Sequence, residues 1–366
     1  MSLKLGKIFG ISIELHSTFI LMILALVFVL AALDQPNFFS TLLLLFFLFF
    51  SVFVHELFHS IVAISKGIKV SKITLLPIGG LSVTEELPEK PMDEFLIAIA
   101  GPFFNFIAVV LILVVAAYLP SLWPTHLFTG GEINPEQVDS AILQYPLFAL
   151  FWVNFMLGAF NLFVPALPLD GGRVFRALLS TRLGYYKATR MSSVLSKIIA
   201  GVLFILGFVG GNFILAIIGV FIFLGASQET EMVSIRQSLE GVDLKKIVSK
   251  KTPKIKPELT IAQVIQKMLG KKQTTFLVDM AKPSFVTIEM LEQVKKSEQD
   301  FLTVGEISRP VPQVAVSIKP EKALLLMLSR GSPFIQILDK NKPIGFLSEE
   351  DLQKVIRIQK AIRQLS

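Results

Sequence analysis

The chain of 366 residues contains no cysteine, which excludes disulfides, thiol nucleophiles and thiolate metal ligands and leaves nitrogen and oxygen as its strong metal donors. Charge is also scarce: 17% of residues are charged against 53% hydrophobic, and Leu42 to Val54 carries no charge at all. Neither 34–39 nor 119–142 holds a lysine or arginine. A soluble protein of this length is excluded by that composition, and the apolar excess lies between residues 14 and 227. No small-residue cleavage site follows the first apolar run, which is therefore read as a retained span.

What is present is a series of apolar segments of bilayer length. Six spans of about 20 residues each are expected, near 14–33, 40–63, 92–118, 143–165, 191–209 and 211–228. The last two are divided only by Gly210, Gly211 and Asn212, a sequence suited to a tight turn. Lys4 and Lys7, then Lys66, Lys69 and Lys72, then Arg173, Arg176, Arg182, Lys187 and Arg190 all fall on one side of such a threading. This is the positive-inside pattern for a multi-pass cell-membrane protein with both termini in the cytoplasm. The formal net charge of +7 fits loops facing anionic lipid and gives no reason to invoke nucleic acid.

Within the second span stands His55-Glu56-Leu57-Phe58-His59. On a helix the two imidazoles, four residues apart, share a face and can address one zinc ion, with Glu56 beside them as general base. Two histidines and a carboxylate in hydrocarbon are expensive to insert and require partners, and a metal ion is the economical one. A catalytic zinc takes three protein ligands and keeps one position open. Asp170, in Asn161-L-F-V-P-A-L-P-L-Asp170-Gly171-Gly172-Arg173, is the expected third ligand. Pro165 and Pro168 break the preceding helix, and the glycines permit a turn in backbone that would line a polar cavity. The competing use of Asp170 is to cap the helix that follows.

The segment 69–86 is short, β-branched and interrupted by Pro77, Gly79 and Gly80, so it is read as a strand pair or a re-entrant loop beside the site. An edge strand there would help to unwind a helical substrate by pairing with it, whereas a plain surface hairpin would do nothing. His126 lacks metal-ligand spacing, and His16 is read as interfacial. From Val242 the chain changes to alternating charge and amphipathic segments of the size of one or two small domains, in two similar halves. Ile307-S-R-P-V-P, a helix at 323–329, F-I-Q-I-L-D and P-I-G-F-L-S-E-E-D repeat an order sketched earlier by T-I-A-Q-V-I-Q-K-M, T-F-L-V-D and S-F-V-T-I-E-M-L.

These residues resemble the site-2 proteases, which are intramembrane zinc metalloproteases. The resemblance rests on H-E-x-x-H in a span, the distal N-x-x-P-x-x-x-x-D-G-like segment and Gly101-P-F-F-Asn105, and it covers essentially the whole chain. The similarity is greatest to the archaeal branch with six spans and a C-terminal tandem pair of cystathionine-β-synthase-type (CBS) modules. One departure stands out: Val164 occupies the usual proline position, three residues after Asn161, and Pro165 follows it. The resemblance implies a polytopic α-helical membrane protein of six transmembrane helices with a cytoplasmic α/β CBS pair, divided as 1–230, 242–300 and 301–366. It implies zinc held by His55, His59 and Asp170, Glu56 as catalytic base, and transmembrane substrate segments cut near the cytoplasmic side. Asn161 and Asn105 would bind substrate backbone or the oxyanion, with helix packing the other use of Asn105. Ser348 and Asp351 resemble the CBS signature for the phosphate and ribose of an adenine nucleotide (ATP, ADP or AMP). The first half has Thr287 but Met290 in place of the acid. A homodimer through the CBS modules, with no ligand, is the other expectation for that region. Rival classes are a CBS-gated transporter or channel and an inactive family scaffold.

Overall fold

The computed structural model describes residues 2–32, 37–76, 79–84, 90–129, 134–249 and 252–365, and it begins with a hairpin where the sequence reading places no element. Strands β1 (Ser2–Ile8) and β2 (Ile11–His16) alternate apolar and polar residues and pair antiparallel, with Ile8 opposite Ile11. The two residues between them, Phe9 and Gly10, both have positive φ (+50° and +80°), the backbone that a two-residue hairpin turn requires. Helix α1 (Ser17–Ala32) follows. The span expected from residue 14 therefore starts in strand, and its helix has 16 residues rather than the ~20 of a straight crossing. Among the described residues, five further helices are long and apolar enough to cross a membrane.

These begin with α2 (Phe38–Ser65), after which β3 (Val70–Leu76) and β4 (Gly79–Thr84) form an antiparallel pair with Leu76 opposite Gly79. Of the two readings of 69–86 the strand pair is the one formed; Pro77 and 85–86 lie outside the described residues. Since β2 pairs parallel with β3, the four strands make one sheet in the order β1-β2-β3-β4, and β4 is an edge. Ile11, Ile13 and Ile73 of the sheet pack with Ala63 of α2 and Ile97 of α3 (Pro91–Tyr118), which seats the sheet at the ends of those two helices.

Helices α4 (His126–Thr129) and α5 (Pro135–Gln144) precede α6 (Pro146–Phe163). The chain is irregular from Val164 to Leu169, where two prolines cannot donate to a helix, and resumes as α7 (Asp170–Leu183). A long helical hairpin completes the unit: α8 (Tyr185–Val209) and α9 (Phe213–Leu239) turn at Gly210 and Gly211. Ser192, Ser193 and Ser196 of α8 are buried, so its polar face is turned into the protein. The chain divides into two units, Met1–Val233 and Ser234–Ser366.

The second unit contains α10 (Leu244–Ile247) and then one arrangement twice. In the first half β5 (Lys254–Ile255), α11 (Ile261–Lys271), β6 (Thr275–Val278), β7 (Ser284–Thr287) and α12 (Ile288–Glu292) place β5 parallel to β6 and β6 antiparallel to β7. After α13 (Val304–Ile307) and β8 (Arg309–Pro310), the second half repeats this with β9 (Gln313–Ala315), α14 (Pro320–Arg330), β10 (Phe334–Asp339), β11 (Lys342–Ser348) and α15 (Glu349–Leu365). Each half has its own apolar core, around Ile261, Val264 and Phe276 in one and Ala323, Ile335 and Leu347 in the other. Phe276 is 1% exposed. Phe276→Ala is expected to destabilise this half by about 3–5 kcal/mol, seen as faster hydrogen–deuterium exchange in β6 and β7 than in the membrane helices.

Candidate metal centre

The side chains of His55 and His59 leave α2 on one face and meet Asp170 at the first residue of α7, all three buried. Their donor atoms form a triangle: His55 Nε2 to Asp170 Oδ2, His59 Nε2 to Asp170 Oδ2, and His55 Nε2 to His59 Nε2 are each 3.1 Å. A tetrahedral zinc site with bonds of about 2.0 Å has ligand–ligand edges of about 3.3 Å, so the triangle has the right size. Asp170 does not cap α7, whose N-cap is Leu169; its other oxygen lies 3.6 Å from Arg173 Nη1.

A chain of hydrogen bonds settles which way the imidazoles face. Asn154 of α6 donates through Nδ2 to the Leu150 carbonyl (2.8 Å) and to Ser51 Oγ (3.1 Å), so its Oδ1 is left to accept from Asn105 Nδ2 (2.9 Å). Asn105 Oδ1 is then an acceptor and takes the Nδ1–H of His55 at 2.5 Å. His59 Nδ1 donates to the Ile97 carbonyl at 2.6 Å. Both rings are thus protonated on Nδ1 and turn an Nε2 lone pair toward Asp170 Oδ2. Three lone-pair atoms in mutual contact repel unless a cation lies among them, and outer partners of this kind fix the tautomer of metal-ligating histidines. The donor set fits zinc.

Glycines make room for this approach. A Cβ on Gly101 of α3 would stand 2.7 Å from His55 Nε2 and strike His59 as well. Gly171 and Gly172 lie against the backbone of Leu162 to Leu167, so a side chain at either would push Asp170 out of place. Ser196 of α8 accepts the Leu167 N–H at 2.7 Å and holds the irregular segment from the other side. Gly80, on edge strand β4, rests against the side chain of Glu56.

Of the other residues singled out from sequence, Asn105 adjoins the triangle through His55 and the rest lie elsewhere. Asn161 donates to the Leu157 carbonyl (3.0 Å) and borders a groove between α2, α5 and α6 instead of joining the triangle. Asn105 is fully buried, with both ends of its amide engaged within the protein. His16 bonds to Thr18 Oγ1 at 2.7 Å, and His126 lies beside Tyr145. In the second unit Ser348 donates to Asp351 Oδ2 (2.6 Å) and accepts from the Asp351 N–H (3.1 Å), capping α15. Both line a cavity of about 380 Å³ together with Thr274, Thr275 and Phe334. Met290 instead packs into the core of the first half. Asn154 and Ser51 escape the sequence reading, although an asparagine in an apolar helix is itself a signal that a polar partner exists; Arg176, counted there among the positive-inside charges, is buried.

The fold and the enclosed triangle define a multi-helix protein with a buried cluster of nitrogen and oxygen donors able to hold a metal ion. Residues 43–206 match the family model of Peptidase family M50, and residues 304–358 match the CBS domain. The chain is 36% identical over 272 residues to the zinc metalloprotease MJ0392 of Methanocaldococcus jannaschii, covering 74% of this chain and 73% of that protein. It is 29% identical over 325 residues to Rip3 of Mycobacterium tuberculosis, covering 84% and 78%. The solved site-2 protease of Methanocaldococcus jannaschii is 36% identical and covers 63% of this chain and 95% of its own, with a TM-score of 0.47. The chain belongs to Peptidase family M50, the site-2 proteases, and carries a CBS domain.

Gly101→Ala places a methyl where the ion would sit. Bound zinc per chain, measured by elemental analysis of purified protein, is expected to fall from near one to near zero, with the helix content seen by circular dichroism kept.

Proposed function

We propose that this protein is a zinc-dependent endopeptidase that hydrolyses transmembrane segments of other proteins within the bilayer, toward its cytoplasmic side. The observation that carries the reading is the convergence of three lone-pair atoms from His55, His59 and Asp170, with Glu56 on the same helix and an edge strand against it. When bound, zinc supplies Lewis acidity toward the scissile carbonyl and toward water. Asn105 and the Ile97 carbonyl keep both Nε2 atoms directed at the centre. Glu56 takes a proton from the attacking water as its oxygen joins the carbonyl carbon, and delivers it to the nitrogen as the C–N bond breaks. A helical substrate hides its peptide bonds, and β4 offers unpaired backbone groups to a stretch unwound beside Glu56. The basic segments following α2 and α6 favour cytoplasmic termini.

For the second unit the reading is regulation by an adenine nucleotide. Ser348 and Asp351, facing the cavity between the two halves, would contact ribose and phosphate.

Two experiments test these readings. In detergent, Glu56→Gln is expected to lose about 10²–10⁴-fold of its cleavage of a helical membrane peptide while retaining zinc, and Asp170→Ala to lose zinc itself. Zinc-free wild type that still cleaves would refute the mechanism. By calorimetry, ATP, ADP and AMP are each titrated into the full chain; Asp351→Ala is expected to weaken the tightest of them at least about tenfold, the loss of a charge-assisted contact, and no binding to wild type refutes the nucleotide reading.

A further inference from the structure

The triangle of donors joins two helices, and its size depends on how far α7 is shifted along α3, the helix that contacts both imidazoles. On α3, Ile97 accepts from His59, Gly101 faces both rings and Asn105 holds His55. On α7, Asp170 supplies the donor. A second tie between the same two helices lies away from it: Arg176 Nε donates to Glu94 Oε1 at 2.8 Å, and Arg176 Nη2 donates to the same oxygen. Both side chains are buried, the carboxylate 2% and the guanidinium 3% exposed. Arg176 also donates through Nη1 to Glu229 of α9 at 2.6 Å and lies 5.1 Å over the Tyr185 ring.

The spacing of the two ties matches. Seven residues separate Glu94 from Gly101 and six separate Asp170 from Arg176, about 10 Å and about 9 Å of helix at about 1.5 Å per residue. Glu94 precedes Gly101 whereas Arg176 follows Asp170, so the helices run in opposite senses between two levels that are joined at each end. Sliding α7 by one residue would break the ion pair and carry Asp170 about 1.5 Å from the histidines.

We propose that Glu94 and Arg176 are positioning residues of the metal centre: their ion pair sets the register of α7 on α3 and thereby the reach of Asp170 to His55 and His59, with Glu229 holding the guanidinium in place. Surface lysines and arginines of the positive-inside kind have no such role, since they remain in contact with water. Arg176 is suited to it because its planar fork engages two carboxylates at once, which an ammonium group cannot do with fixed geometry. Replacing the charge at Glu94 while keeping its shape loosens the register without removing a ligand.

The inference rests on the metalloprotease reading, and its test separates the two. Full-length wild type, Glu94→Gln, Arg176→Lys and His55→Ala are purified in detergent, and zinc(II) affinity is measured by competition with a chelator on folded, monodisperse protein. Cobalt(II) is loaded in parallel, because its visible absorption bands report ligand geometry. Glu94→Gln and Arg176→Lys are expected to raise the zinc dissociation constant at least about tenfold, as outer partners of metal ligands do, and to shift the cobalt bands. A merely structural role would lower the melting temperature while leaving zinc affinity and cobalt bands of the folded protein as in wild type. That result overturns the proposal and leaves the zinc reading standing. Wild type binding zinc no better than His55→Ala overturns both.

Discussion

Two imidazoles and a carboxylate cannot lie among hydrocarbon side chains without partners, and the amino-terminal unit is organised around supplying them. The protons on Nδ1 are given to an amide and a carbonyl of α3, and the lone pairs on Nε2 are turned toward Asp170. The polarity of the longer chain is set at the Leu150 carbonyl, which can only accept, and passes through Asn154 and Asn105 to His55. Helices α2, α3, α6 and α7 are consequently held by directional bonds at one point, in a bundle where apolar packing alone would tolerate sliding.

The same logic explains the glycines and prolines. Gly101, Gly171 and Gly172 stand where a side chain would collide with an imidazole or with the backbone before Asp170. Pro165 and Pro168 end α6 within the protein, and Ser196 satisfies a backbone N–H that this break would otherwise leave unpaired. Irregular backbone at such depth is tolerated because it is enclosed and bonded.

Much of this was legible in the residues. The spans stand out because bilayer-length apolar runs are rare, and the grouping of His55, His59 and Asp170 because ionisable residues in such runs are rarer still. The β1–β2 hairpin was hidden: the alternation of Leu3, Leu5 and Ile8 with Lys4 and Lys7 merges into the apolar run of α1. Glu94 and Arg176 were obscured for a different reason. Charges near the ends of spans usually face water, and one sequence holds no sign that these two turn inward to each other. Asn161 shows the opposite limit, since its place in the local motif says nothing of its side chain bordering a groove away from the cluster. In the second unit, the repeat is visible in both sequence and topology, because each half must build its own core from the same order of strands and helix.

The donors come from segments more than a hundred residues apart in sequence, and their supporting partners from yet other helices. During synthesis α2 enters the bilayer long before Asp170 has been made. A partly synthesised chain therefore has both histidines but no third donor, no Arg176 to set the register of α7 and no finished enclosure to exclude water. The three-donor centre comes into being only when the bundle closes, so an immature chain has no assembled site.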